Sequence, residues 1–353
     1  MIKLTDKDKL VFYALTKWPQ LNDIQLSQKI GIKRSTIAAI RNKLEKNKLY
    51  NTINVPDLER IGCELLTVRY GSFNPLCTYL MREKYSSTYK FPEVFFKRST
   101  DRQRIALNAA KNFTEVKEYI DYSNRIYGEQ GFLTDEGIVH VFFPFKISRI
   151  SSFFDYVPLL KQHFNLDIES ERVVLDNDLK EHRPADLTEK EKLLLYALVK
   201  YPQLNDNELS QKVSITRQSV SSIRKRLEED GLVKTINVPN LTALGLQVMA
   251  FTHVLVNPKS TLNMRKHGIL KILSQGVHIF HISGNLEFVL ISHFKDYPEY
   301  ARSFEEIVSY YKEHDLLLKE PITRIFLNED IKLAIDGRFA PLVKEIFDIK
   351  NDI

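Results

Sequence analysis

Cysteine is nearly missing from this chain: Cys63 and Cys77 are the two present in 353 residues, both in the first half. So few thiols, without counterparts further on, exclude a disulfide framework and a cysteine-rich zinc site. Long apolar runs are missing too. The longest, such as IVHVFFPF from Ile138, fall far short of the ~20 residues that a bilayer span needs. Lys3, Asp6, Lys7, Asp8 and Lys9 break any apolar core of a leader peptide, so a soluble, cytoplasmic protein with no membrane partner is expected. No glycine-rich phosphate loop and no nucleophile elbow appears. His278 and His281 are three apart and would face opposite sides of a strand. No metal and no cofactor are therefore expected.

What is present is a repeat. LTDKDKLVFYALTKWPQLNDIQLSQKIGIKRSTIAAIRNKLEKNKLYNTINVP recurs 183 positions later as LTEKEKLLLYALVKYPQLNDNELSQKVSITRQSVSSIRKRLEEDGLVKTINVP. Fainter echoes follow, PLLKQHFNL against PLVKEIFDI and the stretch from Phe95 against that from Ile279. The chain reads as a tandem duplication, with the acidic stretch from Glu169 to Asp186 as the boundary. Four domains are expected, at 1–56, 57–182, 183–240 and 241–353.

Each half opens on helical periodicity. In the second, Thr188 and Glu191 form a capping box, and Leu193, Leu194, Ala197 and Leu198 make a stripe that stops at Pro202. Asn205 or Asp206 caps a short second helix. Thr216 caps a third, with Val220, Ile223 and Leu227 inward and Gly231 at its end. Ile37, Ile40 and Leu44 hold the same places in the first half, and LVKTINV and LYNTINV read as wings. After each wing the pattern becomes α+β. In the second half, strands over 247–256, 277–283, 287–294 and 322–327 and helices over 260–274 and 298–313 give the order β-α-β-β-α-β. Gly284-Asn285 is read as a two-residue hairpin turn, setting His281 opposite Phe288.

The net charge is +6, but Met1 to Tyr50 carries eleven Lys or Arg against four Asp or Glu, while Leu187 to Thr235 carries nine against seven. Such a local excess suits a polyanion, because each neutralised phosphate releases counterions. In a helix-turn-helix the second helix of the motif enters the major groove. The residues expected to touch duplex DNA are Arg34, Ser35, Thr36, Arg41, Asn42 and Lys43 in the first module. In the second they are Thr216, Arg217, Gln218, Ser219, Ser221, Ser222, Lys225 and Arg226, with Lys234 in the wing. Arg reaches guanine O6 and N7, Gln reads adenine, and Ser bonds base or phosphate. Ala38 and Ala39 stand where the other copy has Ser221 and Ser222, so the two heads should read different sequences.

LSQKVSITRQSVSSIRKRLEEDGLVKTINVPNLTALGL resembles the leucine-responsive regulator and AsnC family, the feast/famine regulators of archaea and bacteria; ISGNLEFVLISHFKDYPEY is similar to the entry of that family's ligand-binding domain. The resemblance implies two winged helix-turn-helix modules and two ferredoxin-like βαββαβ domains in pseudo-twofold arrangement. One chain would then take the place of a dimer and read an imperfect palindrome, with its third helices in grooves about 34 Å apart. It also implies a small-molecule effector such as an amino acid at Ser283, Gly284, Asn285 and Glu287, and further copies of the chain as partners. In the first half Thr100 and Gln103 replace Gly284 and Glu287, so that pocket should be lost or altered.

Two other readings stand beside the regulator. Siroheme decarboxylases look like the same architecture, but that resemblance implies His with Tyr or Arg around the second α+β strand. VHIFHIS has no Tyr or Arg beside its histidines, and VFFKRST has no His. The chain is therefore expected not to be an enzyme. A regulator that docks proteins without binding DNA is the other alternative.

Overall fold

The structure, a computed structural model, describes residues 3–86, 94–168, 184–350 and 353. Most of the expected boundary at Glu169 to Asp186, and the end of the segment before the second strand of the first α+β domain, lie outside them.

The element series occurs twice. The first runs α1 (Asp6–Lys17), α2 (Asp23–Ile30), α3 (Arg34–Lys46), β1 (Tyr50–Pro56), β2 (Leu65–Phe73), α4 (Tyr79–Ser86), β3 (Val94–Ser99), β4 (Gln103–Ala110), α5 (Phe113–Glu129), β5 (Leu133–Pro144), β6 (Arg149–Phe153) and α6 (Val157–His163). The second runs α7 (Glu189–Lys200), α8 (Asp206–Val213), α9 (Arg217–Glu229), β7 (Val233–Pro239), β8 (Val248–Leu255), α10 (Leu262–Leu273), β9 (His278–Ser283), β10 (Glu287–Phe294), α11 (Tyr297–Glu313), β11 (Ile322–Leu327), β12 (Leu333–Asp336) and α12 (Ala340–Ile346). The α+β class, the winged helical modules and the ferredoxin-like order are as expected.

Local chemistry accounts for the helix ends. The Thr5 hydroxyl accepts from the Asp8 amide while the Asp8 carboxylate accepts from the Thr5 amide, and at α7 the Glu191 carboxylate accepts from both the amide and the hydroxyl of Thr188. Asn22 and Asn205 cap α2 and α8, again with Gln25 and Glu208 returning the bond. Those two helices stop on left-handed residues, Gly31 and Ser214.

By contact the chain divides into two units that cut across the repeat. Unit 1 is Met1–Asn51, Ile147–Leu179 and Ile236–Glu329. It joins α1 to α3 with the second α+β sheet, whose strand order is β11-β8-β10-β9-β6. The fifth strand, β6, comes from the first half and pairs antiparallel with β9. Leu15, Leu26, Ile37, Ile40 and Leu44 form its helical core, with Leu160 of α6 and Leu244 packed in. The Asn237 side-chain amide donates to Leu15 O at 2.8 Å, and Asn240 N donates to Leu49 O at 2.7 Å.

Unit 2 is Thr52–Lys146, Lys180–Thr235 and Asp330–Ile353. Its sheet has the order β12-β3-β4-β2-β5, with β12 from the second half on the edge of β3. Phe339 stacks on Phe95 at 4.8 Å beneath that edge. The Asn54 amide donates to Leu198 O, the Thr235 hydroxyl donates to the Asn54 side-chain oxygen, and Asp57 N donates to Leu232 O.

One expected register is corrected. Ser283 pairs with Phe288 and His281 with Leu290, so the β9–β10 loop holds the four residues 284–287 and not two. Gly284 N donates to Glu287 O at 2.8 Å, which closes this wider loop and shifts the partners of Ser283 to Phe280 by two, until a bulge between Ile291 and Ser292 sets Ser292 opposite His278. No helix is long and apolar enough to cross a membrane among the described residues, and no cluster of three or more His, Cys, Asp or Glu there could hold a metal.

Candidate nucleic-acid interface

In unit 1, α3 buries Ile37, Ile40 and Leu44 and turns its other faces outward. Arg34, Ser35, Ala39 and Asn42 are exposed; Thr36, Ala38, Arg41 and Lys43 are half-buried. Two of the expected DNA-binding cations are engaged within the module. Arg41 Nε donates to Asp23 Oδ1 at 2.8 Å, tying α3 to α2, and Lys43 Nζ meets Asp8 Oδ2 at 2.7 Å. Burial pushes the Asp8 carboxyl up, but the bonds from Lys43 and Thr5 outweigh it and hold it below the usual carboxylate range. Lys33, Arg34, Lys46 and Lys48 are exposed along and beyond this helix.

In unit 2, Thr216 caps α9 by accepting from Ser219 N at 3.3 Å. Arg217, Gln218, Ser221, Ser222, Lys225 and Arg226 are exposed and Ser219 is half-buried, while Val220 and Leu227 are buried. Arg224 repeats the internal tie of Arg41, donating to Asp206 Oδ1 at 2.6 Å and to Leu204 O at 3.1 Å. Arg226 is ion-paired with Glu191, and Lys225 lies 3.7 Å from Glu229. Lys234 is exposed on β7, as is its counterpart Asn51 on β1.

The residues thus sort into two sets. Arg34, Ser35, Asn42, Arg217, Gln218, Ser221 and Ser222 share exposed surface on their helices, whereas Arg41, Lys43 and Arg226 are partnered by carboxylates of their own module. The Arg–Asp tie was missed in the sequence. Its signal was present: Asp23 and Asp206 stand in the same LND triplet of both copies, and Arg41 and Arg224 follow at the same distance.

The four residues expected to hold an effector meet at one loop. Ser283 is buried at its entry, and Asn285 is exposed with its backbone oxygen accepting from Arg265 Nη1 at 2.9 Å. Glu287 Oε2 lies 3.1 Å from His253 Nε2. In the first half Thr100 N donates to Gln103 O at 2.9 Å, so the same turn forms there without the glycine or the carboxylate. Beneath α11, a mainly apolar cleft is lined by Phe288, Leu290, Phe304 and Tyr311, with His278 and Ser292 as a polar pair 2.6 Å apart.

A family described as winged helix-turn-helix DNA-binding matches residues 187–234, the α7–α9 module and the start of its wing. No significant match to curated proteins is found. The crystal structure of the siroheme decarboxylase NirDL is similar over 98% of this chain and 99% of its own, with a TM-score of 0.54 and 13% identity. Its complex with an iron-uroporphyrin III analogue matches with a TM-score of 0.53 and 14% identity, over 98% and 100% of the two chains. An AsnC family transcriptional regulator from Agrobacterium tumefaciens covers 42% of this chain and 95% of its own, with a TM-score of 0.35 and 14% identity. The expectation that the protein is not an enzyme is therefore corrected. The fold found along its whole length is that of an enzyme, and the missing His–Tyr–Arg pattern on one strand was too narrow a basis for setting catalysis aside.

Proposed function

We propose that the chain is a transcriptional regulator that binds duplex DNA through α3 and α9. The observation that carries this reading is the pair of exposed polar helix faces, each opening with an arginine, Arg34 or Arg217, just after the cap. Such a face matches what the major groove demands: donors that reach base edges, over a buried apolar stripe that fixes the helix. The match of a DNA-binding family to residues 187–234 supports it. The two faces differ at Ala39 against Ser222 and at Asn42 against Lys225, so the preferred site is an imperfect palindrome. The chain corresponds to two units of the leucine-responsive regulator and AsnC type in tandem, with an amino-acid effector at Ser283 to Glu287.

The test is selection from a random duplex library, followed by fluorescence anisotropy of the enriched site across a salt series. Enrichment of one motif, with affinity falling steeply as salt rises, is expected. No enrichment, or binding indifferent to salt, would overturn the reading. For the effector, a thermal-shift panel of amino acids should show one that stabilises the chain and loses its effect in Glu287→Gln.

The fold shared with NirDL supports a second reading, decarboxylation of a tetrapyrrole side chain. Anaerobic incubation with siroheme decides it: release of carbon dioxide would favour catalysis over regulation.

A further inference from the structure

The two third helices differ in a way that their shared fold does not impose. Aligned by the repeat, Lys33, Lys46 and Lys48 stand where the second copy has Thr216, Glu229 and Gly231. Ties inside the modules do not explain this, because they match. Arg41–Asp23 is repeated by Arg224–Asp206, and Lys43–Asp8 by Arg226–Glu191. What those ties leave over is unequal. Lys33, Arg34, Lys46 and Lys48 are exposed, and none of them is ion-paired among the described residues. Around α9 and its wing, Arg217 and Lys234 are in that position, while Lys225 lies 3.7 Å from Glu229. There the helix closes on the exposed carboxylates Glu228, Glu229 and Asp230. One cation, Arg60, reaches this end and donates to the Asp230 backbone oxygen.

Lys48 also sits where a lysine is disfavoured. Its φ is 51°, in the left-handed region, and the matching residue is Gly231 at 70°. Glycine adopts this conformation without steric cost, so local folding does not ask for a lysine there.

The middle of each helix shows the opposite bias. Outward positions carry Ser35, Ala38, Ala39 and Asn42 on α3, against Gln218, Ser221, Ser222 and Lys225 on α9. An alanine methyl can touch a thymine methyl, whereas Gln and Ser exchange hydrogen bonds with base edges. A helix of 13 residues is about 20 Å long and the major groove ~12 Å wide. Its ends therefore meet the phosphate walls while its middle faces the bases.

We infer that the two heads divide the work: α3 anchors the duplex through its phosphates with little regard to sequence, and α9 reads the bases. This rests on the DNA-binding reading above and deepens it. The bound motif is then sharp over one half-site and loose over the other. Most of the salt dependence belongs to the first head, at ~0.9 in slope per phosphate engaged.

The test follows binding of the full chain by anisotropy, across a salt series, to the enriched duplex and to a scrambled one. Lys33→Thr, Lys46→Glu and Lys48→Gly together give the first head the residues of the second. This variant should lower the slope by ~3 and weaken both duplexes by the same factor, with the melting temperature unchanged. Gln218→Ala, Ser221→Ala and Ser222→Ala together should keep the slope and erase most of the preference for the enriched duplex. Ser35→Ala with Asn42→Ala should leave that preference in place. Should the first variant not fold, Lys46→Glu alone carries the slope test. An unchanged slope in the lysine variant, or a preference that survives the α9 variant, overturns the division of labour and leaves DNA binding standing. A wild type that binds neither duplex overturns both.

Discussion

The side-chain amide of Asn54 donates to the backbone oxygen of Leu198, 144 positions further along, at 2.8 Å. Its carbonyl oxygen accepts from Thr235 at 2.8 Å. Asn237, the same residue of the second copy, makes the matching bond to Leu15 O. Each conserved piece of the TINV text thus secures a first helix encoded in the other half. Both asparagines are nearly fully buried, so removing either leaves a carbonyl unsatisfied.

Asn54→Ala and Asn237→Ala should each lower stability by ~1–3 kcal/mol, the scale for orphaning a buried polar group. Urea unfolding measures this, and an unchanged midpoint for both would contradict the role given to these bonds.

The sorting of the cations predicts a contrast. Arg34→Ala and Arg217→Ala should leave the melting temperature in place while weakening duplex binding and lowering the salt slope by ~1 each. Arg41→Ala and Arg224→Ala should instead lower the melting temperature, because each breaks a half-buried tie to the preceding helix. Parallel melting and anisotropy curves separate the two pairs, and a loss of stability in the first pair would undo the assignment.

Lys97 predicts a dependence on alkaline pH. Its folded pKa lies near 7 and its unfolded value near 10.5, so between these the unfolded chain holds more protons. Stability should then rise with pH across that window, by up to ~1.4 kcal/mol per unit. Lys97→Met should be more stable than wild type at pH 7 and flatter from pH 7 to 10. An unchanged profile in chemical denaturation would place the lysine in water.

His281 predicts the acid side. It is fully buried, neither ring nitrogen has a partner among the described residues, and burial followed by His278 lowers its pKa to about 3. The unfolded ring protonates near 6.5 while the folded ring stays neutral, so stability present above pH 6.5 is lost as pH falls toward 3. His281→Leu should stabilise the chain by ~1 kcal/mol at pH 7 and soften the fall between pH 6 and 4, read by thermal melts in that range.

Much of the architecture was legible because local chemistry and periodicity agreed. The capping pairs Thr188–Glu191 and Asn205–Glu208 and the stripe of Val220 and Leu227 fix the helical module from a few residues each. The strands at 248–255 and 287–294 are mostly apolar text, interrupted by Thr252 and His253 in the first and by Ser292 and His293 in the second. The β9–β10 loop length was not legible, because Gly284-Asn285 fits a two-residue turn as well as a four-residue one and only the paired register decides. The exchange of β6 and β12 was hidden for a different reason: Arg149–Phe153 and Leu333–Asp336 are short, and nothing in an edge strand names the partner sheet. At the candidate interface, charge and position marked Arg34 and Arg217, but which cations stay available depends on neighbours such as Asp8 and Glu191 from a separate helix.

The exchanged edge strands bear on how the protein is made. As the chain leaves the ribosome, β3 emerges with an open flank, and the piece that covers it, β12, is translated more than two hundred residues later. Until then the nascent first half carries an unfilled strand edge, the kind of surface that recruits chaperones or a wrong neighbour. Cutting the chain between its two halves would accordingly yield two fragments that each need the other to finish a sheet.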